Sequence, residues 1–235
     1  MFSAMYHTPW LQKVRNFARS IGLLRWVKIV IGRNNHYEEQ FDNALEKAIN
    51  PGDTIWDIGA NVGFYTKKFL DWSGKDGKVV AFEPLPKAFK ELHDEILSHS
   101  YFPQVVLRNI ALSNKPGEAF FAGGEDNITT GHLHDNGDIQ GGLKVLVSTA
   151  DSVAQEGEYH PNVVKIDVEG YEEEVLLGGV KTFSSPTCRH ILIEMHFSRM
   201  EERKLGNAPA RIASQLKNWN YNLKWVDPSH LHAYR

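Results

Sequence analysis

The chain has 235 residues, 42% hydrophobic and 23% charged, the size and balance of one large globular domain able to bury a core. Its single cysteine, Cys188, excludes an intramolecular disulfide, and no Cys or His cluster supplies the four ligands of a structural zinc site. A net charge of −3 argues against a general nucleic-acid binder. No uncharged apolar run reaches the roughly 18 to 20 residues of a spanning helix, and no basic stretch with an apolar core follows Met1, so a cytoplasmic protein is expected.

The first 37 residues carry Lys13, Arg15, Arg19, Arg25, Lys28 and Arg33 and no Asp or Glu. Trp10, Val14, Phe17, Ile21 and Leu24 recur there at helical spacing, so residues 1–49 read as a basic, amphipathic helical extension. Either this helix docks on the acidic remainder, or residues 10–31 make a peripheral contact with anionic lipid. Docking is favoured, because Trp and Phe on such a stripe are more often core residues.

Residues 50–235 alternate strand and helix, the pattern of an α/β fold. The spacing predicts a strand over 54–58, a helix between 62 and 72, a strand over 79–82, a helix from Pro86 to about residue 98, and a strand beginning at 105–107. Residues 119–149 are expected to insert at the active site, and 123–142, polar with six glycines, read as one long loop. The all-apolar runs 163–166 and 191–193 suit parallel strands covered on both faces. Between them a helix over 171–177 stops at Gly178-Gly179. A helix entered at Pro209 then leads to two strands joined by Asp227-Pro228-Ser229, a link short enough to force an antiparallel pair.

The strongest chemical signal is Asp57-Ile-Gly-Ala-Asn-Val-Gly63 at the end of the first strand, where open α/β sheets bind ligands. Gly59 and Gly63 allow a sharp turn and a close approach. A dinucleotide fingerprint needs glycine where Asn61 stands, and Asp57 would repel a diphosphate while suiting an ammonium or sulfonium ligand. Glu83, closing the second strand, is placed to accept both ribose hydroxyls.

These residues resemble the FkbM family of S-adenosylmethionine-dependent methyltransferases. The resemblance rests on Asp57-Ile-Gly-Ala-Asn-Val-Gly-Phe-Tyr-Thr66, Phe82-Glu83-Pro84, Asn109-Ile-Ala-Leu-Ser113, Lys165-Ile-Asp-Val-Glu-Gly170 and Ile193-Glu-Met-His196, in that order. It implies an open, mostly parallel, seven-stranded Rossmann-like sheet with helices on both faces and an antiparallel C-terminal strand. It also implies O-methylation of a hydroxyl on a sugar, glycolipid, polysaccharide or secondary metabolite. By the same resemblance S-adenosylmethionine would be held by Asp57, Gly59, Asn61, Gly63, Thr66, Glu83 and Asn109. Tyr37-Glu38 precedes the first strand at a distance that could close over the cofactor, and an ordinary helix start fits equally well. A nicotinamide oxidoreductase is disfavoured by Asn61 and Asp57, and a non-catalytic scaffold by the intact glycines and Glu83.

For the chemistry, Lys165, Asp167 and Glu169 alternate along one strand and its exit, as do Glu194 and His196 on the next. His196 could be a general base, or Asp167, Glu194 and His196 could hold Mg²⁺ or Mn²⁺. A third possibility is structural, with Lys165 in an ion pair and His196 capping the strand. His132, His134, His230 and His232 read as solvated surface, and Cys188 as a buried bystander.

Overall fold

A computed structural model describes residues 36–97, 104–122, 132–134, 142–157 and 159–235. The amphipathic stripe of residues 10–24, the side chain of Glu38 and most of the glycine-rich stretch lie outside the described residues. Among those described, no helix is long and apolar enough to cross a membrane.

Helix α1 (His36–Ala48) buries Phe41, Leu45 and Ala48, one face at spacings of four and three. These three side chains join the cluster that includes Ile55, Phe69 and Val79. Strand β1 (Thr54–Ile58), helix α2 (Phe64–Ser73), β2 (Lys78–Phe82), α3 (Pro86–Leu97) and β3 (Val105–Arg108) follow in simple alternation. After a small insertion come α4 (Ala150–Gly157), β8 (Val163–Ile166), α5 (Glu172–Leu177), α6 (Val180–Ser184), β9 (His190–Glu194), α7 (Phe197–Glu202), α8 (Ala208–Asn218), β10 (Asn222–Trp225) and β11 (His230–Tyr234).

Seven strands form one sheet in the order β3-β2-β1-β8-β9-β11-β10, as expected. All pairs are parallel except those of β11, which slots antiparallel between β9 and β10. Both faces are covered: Trp56, Val80, Val164 and Ile191 pack towards the cluster of α4, α6 and α8, while Ile55, Val79, Val163 and Leu192 pack towards α1, α2 and α3. Fully burying a side chain such as Leu45 or Phe69 stabilises by about 1.5–3 kcal/mol, which is why these strands read as continuous apolar runs. The strand order reverses beside β1, so the helices that follow β1 and β8 lie on opposite faces of the sheet and a crevice opens at the carboxyl edge.

The insertion is a second, four-stranded sheet of β4 (Ala111–Leu112), β5 (Gly117–Ala122), β6 (His132–His134) and β7 (Leu143–Ser148), ordered β4-β7-β5-β6. The stretch read as one loop thus contains a strand, with Leu133 opposite Phe121. That pairing is long-range and leaves no periodicity in a glycine-rich segment. The inner face of this sheet, Ala111, Ala119 and Val145, packs on Tyr171 and Val168 over the exit of β8.

Candidate active site

The loop after β1 turns on Gly59, at φ +81°, where a Cβ would stand 1.9 Å from the backbone oxygen of Asp167. The exits of β1 and β8 therefore touch backbone to backbone, an approach open only to glycine. Gly63, at φ +89°, starts α2, and a Cβ there would meet Leu92 at 2.7 Å. Asn61, also left-handed at φ 51°, donates its backbone N–H to Glu83 Oε2 at 2.9 Å. Glu83 Oε1 accepts the N–H of Leu85 at 2.9 Å. Burial pushes Glu83 up to about 7, although these two N–H groups and Lys165 favour its ionised form. Asn109 donates to the carbonyls of Glu83 and Pro84 at 2.8 and 3.0 Å, so its amide braces the turn that carries Glu83.

Asp57 and Thr66 lie behind this loop. Asp57 is fully buried, accepting from Thr66 Oγ1 at 2.7 Å and from Lys165 Nζ at 3.1 Å. Its charge is met by Lys165 and is not presented to a cationic ligand, which corrects the direct role expected from the sequence. Lys165 Nζ also donates to the carbonyl of Gly59 at 3.2 Å and stands 3.7 Å from Asp167 Oδ2. Burial opposes the lysine's charge, but Asp57 and Asp167 outweigh it and hold Lys165 above its ordinary range. It is a fixed cation tying the two loops together and not a group that exchanges protons near neutral pH.

Strand β8 stops at Ile166, and Glu169 and Gly170 take positive φ angles of 51° and 99°. The alternation expected for Lys165, Asp167 and Glu169 therefore does not persist, and a turn brings the acids together instead. A left-handed glutamate costs about 1–2 kcal/mol, the kind of local strain that collects at functional sites. Around this turn His196 Nε2 lies 3.6 Å from Asp167 Oδ1, 3.6 Å from Glu169 Oε2 and 3.9 Å from Glu194 Oε1. Its Nδ1 is 2.7 Å from Oε1 of the fully buried Glu172, which also accepts the N–H of Gly170.

Burial pulls the His196 imidazole down, yet the bond to Glu172 and the charges of Glu169, Glu172 and Glu194 push it up to about 10. The carboxylates gathered around His196 thus favour its protonated ring over the free base that the sequence reading expected. Burial raises Asp167, with Glu194 adding to the rise; burial also raises Glu169. Ligand atoms of Asp167, Glu169 and His196 lie within 4.8 Å of one another, whereas Glu194, expected in a metal set, reaches towards His230 instead, 3.6 Å from its Nε2.

Sequence reasoning missed three contributors. Glu172 stands two residues beyond the acidic turn and reads as a helix start. His230, taken for solvated surface, is largely buried, 2.5 Å from Asp227 Oδ2, and stacked on Phe41 with ring centroids 3.9 Å apart. The Asp227-x-x-His230 spacing was the available signal. His190 and His232 also pair, ring nitrogen to ring nitrogen at 3.1 Å. Cys188 is buried, as expected, and burial pushes its thiol up to about 11.

A cleft of about 730 Å³, counted to its open mouth, joins these parts: it is lined by Gly59, Asn61 and Glu83, by Asp167 and Glu169, and by Phe121 of the second sheet. His196 sits behind the two acids, and is 93% buried.

The sheet order is that of a Rossmann-like fold. Residues 57–223 match the family model described as the methyltransferase FkbM domain, and the chain belongs to that family. It is similar to the hexuronic acid methyltransferase AglP of Haloferax volcanii, 27% identical over 196 residues that cover 80% of this chain and 75% of the relative. It is also similar to the 31-O-demethyl-FK506 methyltransferase FkbM of Streptomyces tacrolimicus, 25% identical over 63% of this chain and 67% of that protein. Among solved structures, an FkbM methyltransferase from Methylobacillus flagellatus shares the fold with a TM-score of 0.55 at 13% identity. The match covers 82% of this chain and 50% of that one, so the chain spans half of that structure's length.

Proposed function

We propose that this methyltransferase uses S-adenosylmethionine to methylate a hydroxyl on a sugar, glycolipid, polysaccharide or secondary metabolite. The observation that carries the reading is that Glu83 and the Asp167–Glu169 pair line one and the same cleft. The names of the two curated relatives support a sugar acid or a secondary metabolite as the acceptor class.

S-adenosylmethionine, when bound, supplies a methyl group already activated on sulfur. Glu83 accepts the ribose hydroxyls, and Gly59 and Asn61 bring backbone close to the ligand. Asp167 or Glu169 takes the proton of the acceptor hydroxyl as the oxygen attacks. His196 stands behind as a buried cation whose Nε2–H faces both acids and holds their oxygens towards the cleft. Because burial raises both carboxyls, each is a better proton acceptor than a solvated carboxylate.

Calorimetry with S-adenosylmethionine, S-adenosylhomocysteine and NAD, followed by transfer of labelled methyl to a panel of hydroxylated sugars and metabolites, tests this. The expected result is binding of the first two and one demethylated cofactor per methylated hydroxyl. Tight NAD binding without binding of either adenosyl ligand would overturn the reading.

A further inference from the structure

We propose that His230 is a positioning residue for the proton-handling centre, holding Glu194 so that His196 stays engaged with Asp167 and Glu169. The proposal rests on the role given above to those three residues.

His230 is the register partner of Glu194 across the antiparallel β9–β11 pair, which places both side chains on one face of the sheet. Asp227 fixes the turn and the ring together. Its Oδ1 accepts the backbone N–H groups of Ser229 and His230 at 2.8 and 3.0 Å, and its Oδ2 stands 2.5 Å from the ring Nδ1. Phe41 of α1 covers the ring face, centroids 3.9 Å apart and planes 22° from parallel. The ring is thereby held from two sides, with Nε2 3.6 Å from Glu194 Oε2. The other oxygen of Glu194 lies 3.9 Å from His196 Nε2, about as near as the oxygens of Asp167 and Glu169. Without His230, Glu194 can swing onto His196 and compete for the N–H that orients the two acids. Neither Asp227 nor His230 lines the cleft, so their influence on the reaction runs through Glu194. Through Phe41, helix α1 takes part in holding the ring on this account.

The test uses the full chain as wild type, His230→Gln, Asp227→Asn and the double variant. Three quantities are read: kcat at saturating cofactor and acceptor, the Kd of S-adenosylhomocysteine, and the ring N–H proton resonances of His196. His230→Gln should lower kcat about tenfold while acceptor KM and cofactor Kd stay within about twofold. Asp227→Asn, whose side-chain oxygen still serves the turn, should cost less, and the double variant no more than His230→Gln alone. The His196 resonances should shift in His230→Gln with no acceptor present. Unchanged kcat, unmoved resonances, or losses that multiply in the double variant would each overturn the proposal. If His230→Gln does not fold, Asp227→Asn alone must show the lowered kcat and the shifted resonances. Shifted resonances in a protein that methylates no hydroxyl would uphold the positioning and remove the functional reading.

Discussion

Cofactor affinity should depend on pH through Glu83, because its carboxyl is held by burial at about 7 in the free protein. A carboxylate accepts both hydroxyls of a ribose diol, whereas the protonated acid has lost one acceptor oxygen. Two charge-assisted hydrogen bonds are worth about 1.5–3 kcal/mol each, enough to make the ionised form the binding form by far. Binding S-adenosylhomocysteine below the folded pKa must first remove that proton. Affinity should therefore be full above about pH 7 and fall roughly tenfold for each unit below it, reaching about a hundredfold loss at pH 5. Calorimetry between pH 5 and pH 7 in buffers of different ionisation enthalpy should also register close to one proton released per ligand at the acid end. Glu83→Gln should bind at least tenfold more weakly at pH 7 and lose the pH dependence. It is a cleaner variant than Glu83→Ala, which would also leave the N–H groups of Asn61 and Leu85 without their acceptors. A flat affinity in the wild type, or unaltered binding by Glu83→Gln, would refute the ribose assignment.

Gly59→Ala should lower the melting temperature and abolish binding of S-adenosylhomocysteine, because a Cβ at 1.9 Å from the Asp167 oxygen forces apart the loops that form the cleft; a normal melt with normal affinity would contradict that contact. Replacing residues 123–142 with a short Gly-Ser link should leave cofactor affinity intact and abolish methyl transfer, and full activity in that variant would show the stretch to be irrelevant to the acceptor. Exhaustive EDTA treatment should leave turnover unchanged while kcat rises with pH above the ordinary carboxylate range, since Asp167 and Glu169 accept a proton only when ionised and burial raises both; activity lost to EDTA and restored by Mn²⁺ would reassign the cluster to a metal.

Where site residues are contiguous, the sequence was informative. Gly59, Asn61 and Gly63 follow one strand and Glu83 ends its neighbour, so parallel pairing alone brings them to one edge. The acidic half was legible in composition but not in geometry. Lys165, Asp167 and Glu169 were identified through an alternation that the left-handed turn at Glu169 interrupts, and Lys165 points back to Asp57. The protonation state of His196 was out of reach, because it follows from Glu172, Glu169 and Glu194 converging in a low-dielectric setting that no local pattern encodes. His230 was missed for a topological reason. Only the insertion of β11 between β9 and β10 turns a hairpin histidine towards Glu194. The second sheet escaped notice because its strands are short and separated by glycine-rich chain.

Two buried cations divide the work at the carboxyl edge, and Asp167 is the residue they share. Its Oδ2 lies 3.7 Å from Lys165 and its Oδ1 3.6 Å from His196, while its backbone oxygen is the atom that only a glycine at position 59 can approach. Lys165 in turn holds Asp57, which holds Thr66 of α2, so the cofactor loop and the proton-accepting pair form one ionic chain. Each carboxylate in that chain would be costly to bury alone, and each is offset by a cation that also fixes its orientation. A shift of the loop after β1 is therefore transmitted to Asp167 by two routes, Gly59 against its backbone oxygen and Lys165 against its Oδ2. On the function proposed above, this chain of contacts links the residues that would hold the methyl donor to the acids that would take the acceptor's proton.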